Sequence, residues 1–305
     1  MSLGDLRGAK GLYERALASS LLCLSEDHPT LAIRRCNVAA ALRDLGEPAA
    51  AKPLFEQALE CAIQNFSPNH HLVMGIQAHY ARALRSLGEF SAARAIYERV
   101  VQWYSENMGS DHPDLAQNRS RLAGVLLDAG DAEAAARLSR EVLAYWERTH
   151  GDEDPRAAYE RAKLAMARRD LGALEEARDL AAQSVNTLRA NPDVRSAYLF
   201  PAWCWFALIL RDLGELDAAR AELEAAIELA LERQFDSDPY FGVLQASLAA
   251  VLHRLGEFEQ ARTQASAAQV AARRFPEMRV CCEEVEGIVR EVLGIAEGKL
   301  ENPDG

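Results

Sequence analysis

Residues 28–60 read HPTLAIRRCNVAAALRDLGEPAAAKPLFEQALE, and this stretch decides the fold. Apolar residues follow helical spacing on both sides of Gly46, first at Val38, Ala39, Leu42 and Leu45 and then at Ala51, Leu54, Phe55, Ala58 and Leu59. Glycine adopts left-handed backbone angles without strain, so it suits a tight turn between two helices. The stretch therefore predicts two antiparallel helices joined at Gly46.

The same pattern recurs along the chain with a spacing of 42 residues. Glycines mark it at Gly4, Gly46, Gly88, Gly130, Gly172, Gly214 and Gly256, and Gly298 continues the series. Glycine makes up 18 of the 305 residues, so six further matches at one spacing would arise by chance with a probability of about 10⁻⁷. The chain is therefore predicted to be a repeat array rather than a globule around one core.

Other residues keep the register of the glycines. Alanines stand five residues after each glycine, at Ala9, Ala51, Ala93, Ala135, Ala177, Ala219 and Ala261, and seven residues before it, at Ala39, Ala81, Ala123, Ala165, Ala207 and Ala249. Small side chains allow helices to approach closely, so both columns predict helix contacts. An acidic residue usually follows the glycine, as at Glu47, where it suits the positive end of the next helix. Triplets such as Asp27-His28-Pro29 end each unit, and we expect their Asp or Asn to cap the next helix.

These columns resemble the tetratricopeptide repeat (TPR), in the 42-residue variety of kinesin light chains and many bacterial signalling proteins. The resemblance covers residues 4–297 and implies an all-α fold, a right-handed α-solenoid of antiparallel helix pairs. We expect a lone second helix at 5–28, six helix pairs across 29–280, a closing helix at 281–297, and a C-terminal tail at 298–305. Because the first helix of the first pair is missing, we expect either a piece of a longer protein or self-association through the N-terminal edge.

Composition excludes several classes of protein. The net charge of −12, from 34 basic and 46 acidic residues, argues against a nucleic-acid partner. The sequence contains no run of 18 apolar residues and no signal peptide, so we expect no membrane association and a cytoplasmic location. The six cysteines form no CxxC pair and are interpreted as small buried residues, with a redox role for Cys281 and Cys282 as the alternative.

No residues form a recognisable catalytic or metal-binding pattern. His28, His70 and His112 are spaced by the repeat itself, so they belong to successive corners about 20 Å apart and are interpreted as turn residues. Motifs for phosphate binding, serine hydrolysis and zinc proteolysis do not occur. We therefore expect a protein that is not an enzyme and that has no cofactor and no metal.

The resemblance also implies that the first helix of each pair lines a concave groove. Inward-facing positions there carry cations and apolar groups, and these form the predicted peptide-binding site: Asn37, His79, Arg82, Arg85, Arg121, Tyr159, Lys163, Met166, Trp205 and Leu208. Guanidinium groups suit carboxylates, and aromatic side chains suit apolar anchors. Two alternatives stay open: Arg43, Arg85, Arg169 and Arg211 could bridge neighbouring repeats, and Trp205 could serve inter-repeat packing. Trp203 is expected in the core.

The predicted function is a scaffold that binds a protein or an extended peptide, with acidic and bulky apolar side chains, in the groove. The alternative is a ligand- or peptide-sensing module cut from a larger signalling protein, such as an ATPase, a kinase or a transcription regulator. Fold alone does not decide between them.

Overall fold

The computed structural model describes residues 3–191, 194, 196–233, 235, 239–273, 287–290, 292 and 294. These residues contain helices and turns and no strand. The chain divides into two compact units, Met1–Thr149 and His150–Gly305, here called unit 1 and unit 2. The closing helix predicted at 281–297, the glycine at 298, and Cys281 and Cys282 lie largely or wholly outside the described residues.

Unit 1 contains helices α1 to α6 and all of α7 except its last residue. Their bounds are α1 Leu3–Cys23, α2 Pro29–Asp44, α3 Pro48–Asn65, α4 His71–Ser86, α5 Phe90–Asn107, α6 Pro113–Asp128 and α7 Ala132–His150. Helices α1 to α6 pack in chain order, and the first helices of successive pairs also touch, α2 with α4 and α4 with α6.

Unit 2 repeats the arrangement with α8 Pro155–Asp170, α9 Leu174–Ala190, α10 Ser196–Asp212, α11 Leu216–Glu232, α12 Pro239–Arg254 and α13 Phe258–Arg273. These helices also pack in chain order, and α10 touches both α8 and α12. Helices that pack together after a turn of about three residues run antiparallel, so the α-solenoid arrangement of helix pairs is confirmed in each unit.

The repeated glycine forms the turn between the two helices of each pair. At Gly88 the backbone φ is 76°, a left-handed angle that other residues adopt with strain. The Gly88 N–H donates to the Arg85 carbonyl at 3.0 Å, and the Glu89 N–H donates to the Leu84 carbonyl at 2.9 Å. This pair of hydrogen bonds satisfies the last carbonyls of α4 and reverses the chain. Gly4 differs, because it lies within α1 and the structure describes no helix before α1 that it could end.

The caps of the first helices differ from the sequence prediction. The side chain of His28, and not Asp27, caps α2, with its Nδ1 accepting from the Thr30 N–H at 3.2 Å. The same position is used by His70, by His112 and by Asp154, whose carboxylate accepts from the Arg156 N–H at 2.8 Å. The interpretation of these histidines as turn residues is confirmed. The predicted Asp or Asn cap is correct at Asp154 and is one position too early where a histidine follows it.

Both alanine columns are core positions. The side chains five residues after the glycines are 0% exposed from Ala51 to Ala261, and those seven residues before are at most 1% exposed from Ala39 to Ala249. A larger side chain at these positions would meet the neighbouring helix, so the columns set the distance between helices.

The acidic residue that usually follows the glycine stands at the start of the next helix, as predicted, and the carboxylate of Asp131 accepts from the Ala134 N–H at 3.2 Å. Most of these acids also form an ion pair. Glu89 makes no side-chain capping bond to α5, and its carboxylate instead accepts from the Lys52 Nζ at 2.7 Å. The equivalent pairs link second helices one repeat apart: Lys10–Glu47, Arg94–Asp131, Arg178–Glu215 and Arg220–Glu257. These pairs are partly exposed, so each contributes about 0–1 kcal/mol and chiefly fixes the register of the stack.

Candidate functional site

In unit 1 the first helices bring cationic side chains together. Arg43 of α2, His79 and Arg82 of α4, and Arg121 of α6 form what we call the arginine cluster. Arg43 lies 3.3 Å from the His79 Nδ1 and makes two hydrogen bonds, of 3.0 and 2.8 Å, to the Asp44 carboxylate. Arg82 lies 3.5 Å from the same carboxylate. Two guanidinium groups, those of Arg43 and Arg82, therefore share one acid among the described residues.

Burial and crowding change the acidity of the arginine cluster. The pKa of His79 falls from 6.5 to about 4, first because the ring is buried and then because Arg43, Arg82 and Arg121 repel its charged form. Burial, followed by repulsion from Arg82, lowers the pKa of Arg43 to about 10. His79 is therefore neutral at pH 7, and the formal charges of the site are those of the three arginines and Asp44. The cluster carries a net charge of about +2 once Asp44 is counted.

Arg121 is the arginine with the weakest internal partner. Among the described residues, its only side-chain hydrogen bond runs from its Nη1 to the Asn118 Oδ1 at 3.4 Å, and no carboxylate lies within 4 Å of the guanidinium group. Burial lowers its pKa, which shows that the guanidinium has lost much of its water. A guanidinium has five N–H donors, so an added carboxylate would satisfy donors that the protein leaves without one.

Arg85 is held by a neighbouring repeat. Its Nε donates to the Asp128 carboxylate at 2.5 Å and its Nη2 to the same group at 3.2 Å. The guanidinium lies where a Cβ on Gly124 would sit, since that atom would be 2.8 Å from the Arg85 Nη1. This geometry matches the alternative in which the arginine bridges repeats. Asn37 lies on α2 and is exposed.

In unit 2 the first helices bring aromatic rings together. Tyr159 of α8 stacks on Tyr198 and Trp205 of α10, with ring centroids 4.9 and 5.7 Å apart. Trp205 thus packs between repeats, and together with Leu208 it also lines a small cavity. Met166 is partly buried and packs on the core of unit 2. Trp203 is 0% exposed, as expected, and its Nε1 donates to Glu222 at 2.9 Å.

Lys163 differs from its predicted role as an exposed cation. It is only 5% exposed, its Nζ donates to the Glu160 carboxylate at 2.8 Å, and it lies 4.8 Å from the centre of the Tyr159 ring. Glu160 stands three residues earlier on the same helix, so the two charges compensate each other inside the protein. Lys163 therefore adds little positive charge to the exposed face of α8.

Sequence reasoning missed two contributors to these surfaces. Arg43 was considered as a bridge between repeats but was left out of the predicted site, and its closeness to His79 follows from the contact of α2 with α4. Tyr198 was not among the predicted inward-facing residues, and nothing in the repeat pattern signals its stack on Tyr159. Among the described residues, no group of three His, Cys, Asp or Glu side chains could hold a metal ion. In the same part of the chain, no helix is both long and apolar enough to cross a membrane.

Comparison with known families gives three matches to the tetratricopeptide repeat, over residues 31–72, 72–145 and 200–233. No curated protein matches the sequence significantly. Among solved structures, kinesin light chain nearly identical TPR-like repeats from Podosopora anserina are 24% identical with a TM-score of 0.53, covering 63% of this chain and 90% of that one.

Two further solved structures are similar in fold at 12% identity. Rap protein complexed with Competence and Sporulation Factor has a TM-score of 0.68, covering 95% of this chain and 84% of that one. NprR in complex with its cognate peptide NprX has a TM-score of 0.67, covering 97% and 87%.

Antiparallel helix pairs, joined by left-handed glycines at a fixed period, define an all-α repeat protein of the solenoid class. The family matches make the assignment more specific. This chain is a tetratricopeptide-repeat protein, and kinesin light chain TPR-like repeats are among the solved structures that share its fold.

Proposed function

We propose that this protein is an interaction scaffold that binds an extended segment of a partner protein on the first helices of its repeats. The observation that carries the proposal is the arginine cluster, in which Arg43 and Arg82 share the Asp44 carboxylate and Arg121 has no carboxylate within 4 Å among the described residues. Acidic side chains of the segment would bind there. In unit 2, taken by itself, Trp205 and Leu208 offer an apolar surface for bulky side chains of a partner.

The similar structures support a peptide as the ligand. Rap is complexed with Competence and Sporulation Factor, and NprR is complexed with its cognate peptide. The matching family models describe a repeat and no catalytic domain, which favours a scaffold over an enzyme. NprR also keeps the second candidate open, a module that senses a peptide on behalf of an effector. An effector domain in the full gene product would favour that candidate.

The proposal is tested by affinity selection from a soluble peptide pool, with the recovered sequences read by mass spectrometry. We expect the full chain to enrich peptides that contain Asp or Glu together with Leu, Met or an aromatic residue. The double variant Arg82→Gln and Arg121→Gln should lose the acidic enrichment by about tenfold or more, because each charged hydrogen bond contributes about 1.5–3 kcal/mol.

The matched control changes two arginines on second helices, Arg94→Gln and Arg148→Gln. Arg94 and Arg148 pair with acids in unit 1 and are at least partly exposed. Because the control also replaces two arginines with glutamines, it has the same net charge as the test variant. Equal acidic enrichment by the test and control variants would refute the assignment of the arginine cluster. Selection of basic peptides, or of none, would refute the proposed function.

A further inference from the structure

Helix α1 exposes side chains that are buried at the equivalent positions of later repeats. Tyr13 is 41% exposed. The residues that follow it at the 42-residue spacing are all 0% exposed: Phe55, Tyr97, Ser139, Ala181, Leu223 and Ala265. Ala9 and Ala16 are also only partly buried, although Ala51 and Ala58, one repeat later, are 0% exposed. The described part of the chain therefore leaves a core face of α1 largely uncovered.

In later second helices this face is covered by the first helix of the same pair. The Tyr97 hydroxyl, at the position of Tyr13, donates to the Ala78 carbonyl of α4 at 3.1 Å. The Ser184 hydroxyl, at the position of Ala16, donates to the Ala158 carbonyl of α8 at 2.6 Å. Among the described helices, only α2 packs extensively on α1, and α2 begins the next pair. The uncovered face of α1 therefore fits an antiparallel helix.

The uncovered residues form a continuous apolar stripe on α1. Ala9, Leu12, Tyr13 and Ala16 follow the spacing of one helix face, and we call them the α1 stripe. Leu12 is the most exposed of them, at 64%. Large side chains lie at the centre of the stripe and alanines at both ends, and the alanines allow a second helix to approach closely.

We propose that α1 of a second copy covers the α1 stripe, so that two chains pair about a two-fold axis that crosses it. Helices related by such an axis run antiparallel, as the two helices of a repeat do. Each α1 then takes the place of a first helix against the other. This inference goes beyond the proposed function and does not depend on it.

The distribution of charge along α1 favours a second copy as the partner. The N-terminal half of α1 has a net charge of +1, from Arg7 and Lys10 against Asp5, whereas Glu26 and Asp27 follow its C-terminal end. Antiparallel pairing brings the positive end of one α1 towards the acids of the other, and it also opposes the two helix dipoles. A uniformly acidic or uniformly basic partner helix would meet its own charge at one of the two ends.

The length of α1 sets the strength that we expect for the dimer. Its 21 residues extend about 31 Å, and one helix face of this length is at the low end of the area that stable interfaces bury. The dimer should therefore form reversibly and dissociate on dilution, and its detection requires a wide range of protein concentration.

The experiment is sedimentation equilibrium of the full chain at about 2 to 200 μM. We expect the mean mass to rise with concentration from the 33.6 kDa of one chain towards twice that value. Leu12→Glu should weaken association at least about tenfold, because it places two carboxylates in the interface. Since Leu12 is already exposed in the single chain, circular dichroism at the lowest concentration should show unchanged helix content.

Leu22→Glu is the matched control. It makes the same chemical change on the same helix, at a residue that is 88% exposed and lies outside the α1 stripe. We expect its association constant to stay within about twofold of that of the unaltered chain, because the stripe is untouched.

A mixture of charge variants tests whether both partners use α1. Equal amounts of Leu12→Glu and Leu12→Lys should associate at least about tenfold more tightly than either variant alone, because the two new charges then attract each other across the axis. If Leu12→Glu weakens association and the mixture does not restore it, α1 contacts a different surface of the second copy and the proposal is wrong.

Two further results would overturn the proposal: a mass of one chain at every concentration, or equal association by Leu12→Glu and Leu22→Glu. Both outcomes leave the scaffold proposal intact, because the peptide selection tests the arginine cluster and not α1. Conversely, a selection that recovers no peptide does not affect the predicted dimer.

Discussion

At the scale of single residues, identical amino acids have opposite roles according to their backbone angles. Gly88 adopts a φ of 76° in a turn, whereas Gly75 lies within helix α4. A Cβ added at either glycine would meet no atom within 4 Å, so packing does not distinguish them. Any difference between their alanine variants must therefore come from the backbone.

We expect Gly88→Ala to destabilise the protein by about 1–2 kcal/mol, because alanine adopts the left-handed backbone angle only with steric strain. Gly75→Ala should stabilise it by about 0.5–1 kcal/mol, because alanine is the better helix former. Thermal unfolding should show melting temperatures that move in opposite directions. Shifts of the same sign would mean that one of the two backbone conformations is wrong.

His79 predicts a pH dependence of stability. Its pKa is about 4 in the folded protein and 6.5 when exposed, so between these values only the unfolded chain binds the proton. The stability that comes from burying a neutral His79 ring is fully present above about pH 6.5 and is lost as the pH falls towards 4. In His79→Gln, the slope of unfolding free energy against pH should decrease by up to about 1.4 kcal/mol per pH unit in this window. Unchanged slopes in denaturant titrations at pH 4 to 7 would contradict the burial of His79.

Partners of individual residues were only partly predictable from the sequence. The 42-residue spacing reveals the recurring arginines and aspartates. It left two roles open for Arg85, a contact with the ligand and a bridge between repeats. It did not give the burial of Lys163, because the pairing with Glu160 depends on how deeply α8 is packed. A long side chain at an inward position can turn into the protein when an acid stands three residues away.

At the scale of elements, alanines decide how closely helices pack. Ala219 is 0% exposed, whereas its neighbour Ala218 on the same helix α11 is exposed. Ala219→Leu should cost about 1–3 kcal/mol by overpacking, and Ala218→Leu should change stability by less than about 0.5 kcal/mol. Denaturant unfolding of both variants measures the difference. Equal effects would mean that the alanine column does not contact the neighbouring helix.

Helix positions were well predicted because their signals are local. The glycine turns from Gly46 to Gly256 and the prolines at helix starts act within a few residues, so they can be read without knowing the fold. The capping residue was misplaced by one position, since Asp27 and His28 can both accept from a helix N–H. Only the backbone geometry at His28, with φ −64° and ψ 129°, identifies the cap.

At the scale of the whole molecule, charge is distributed unevenly. The chain has a net charge of −12, yet the first helices of unit 1 bring Arg43, Arg82 and Arg121 together. Net charge argues against nucleic acid but gives no information on such local surfaces. The repeat consensus therefore predicted the architecture, and residues that depart from it, such as Arg121, carry the candidate specificity.

The central claim is that a partner segment binds on the first helices of the repeats. It is tested most directly by hydrogen exchange of the full chain with and without a peptide recovered by the selection. We expect slower exchange in α4, α6, α10 and α12, and unchanged exchange in α5 and α11. Protection confined to the second helices would contradict the account.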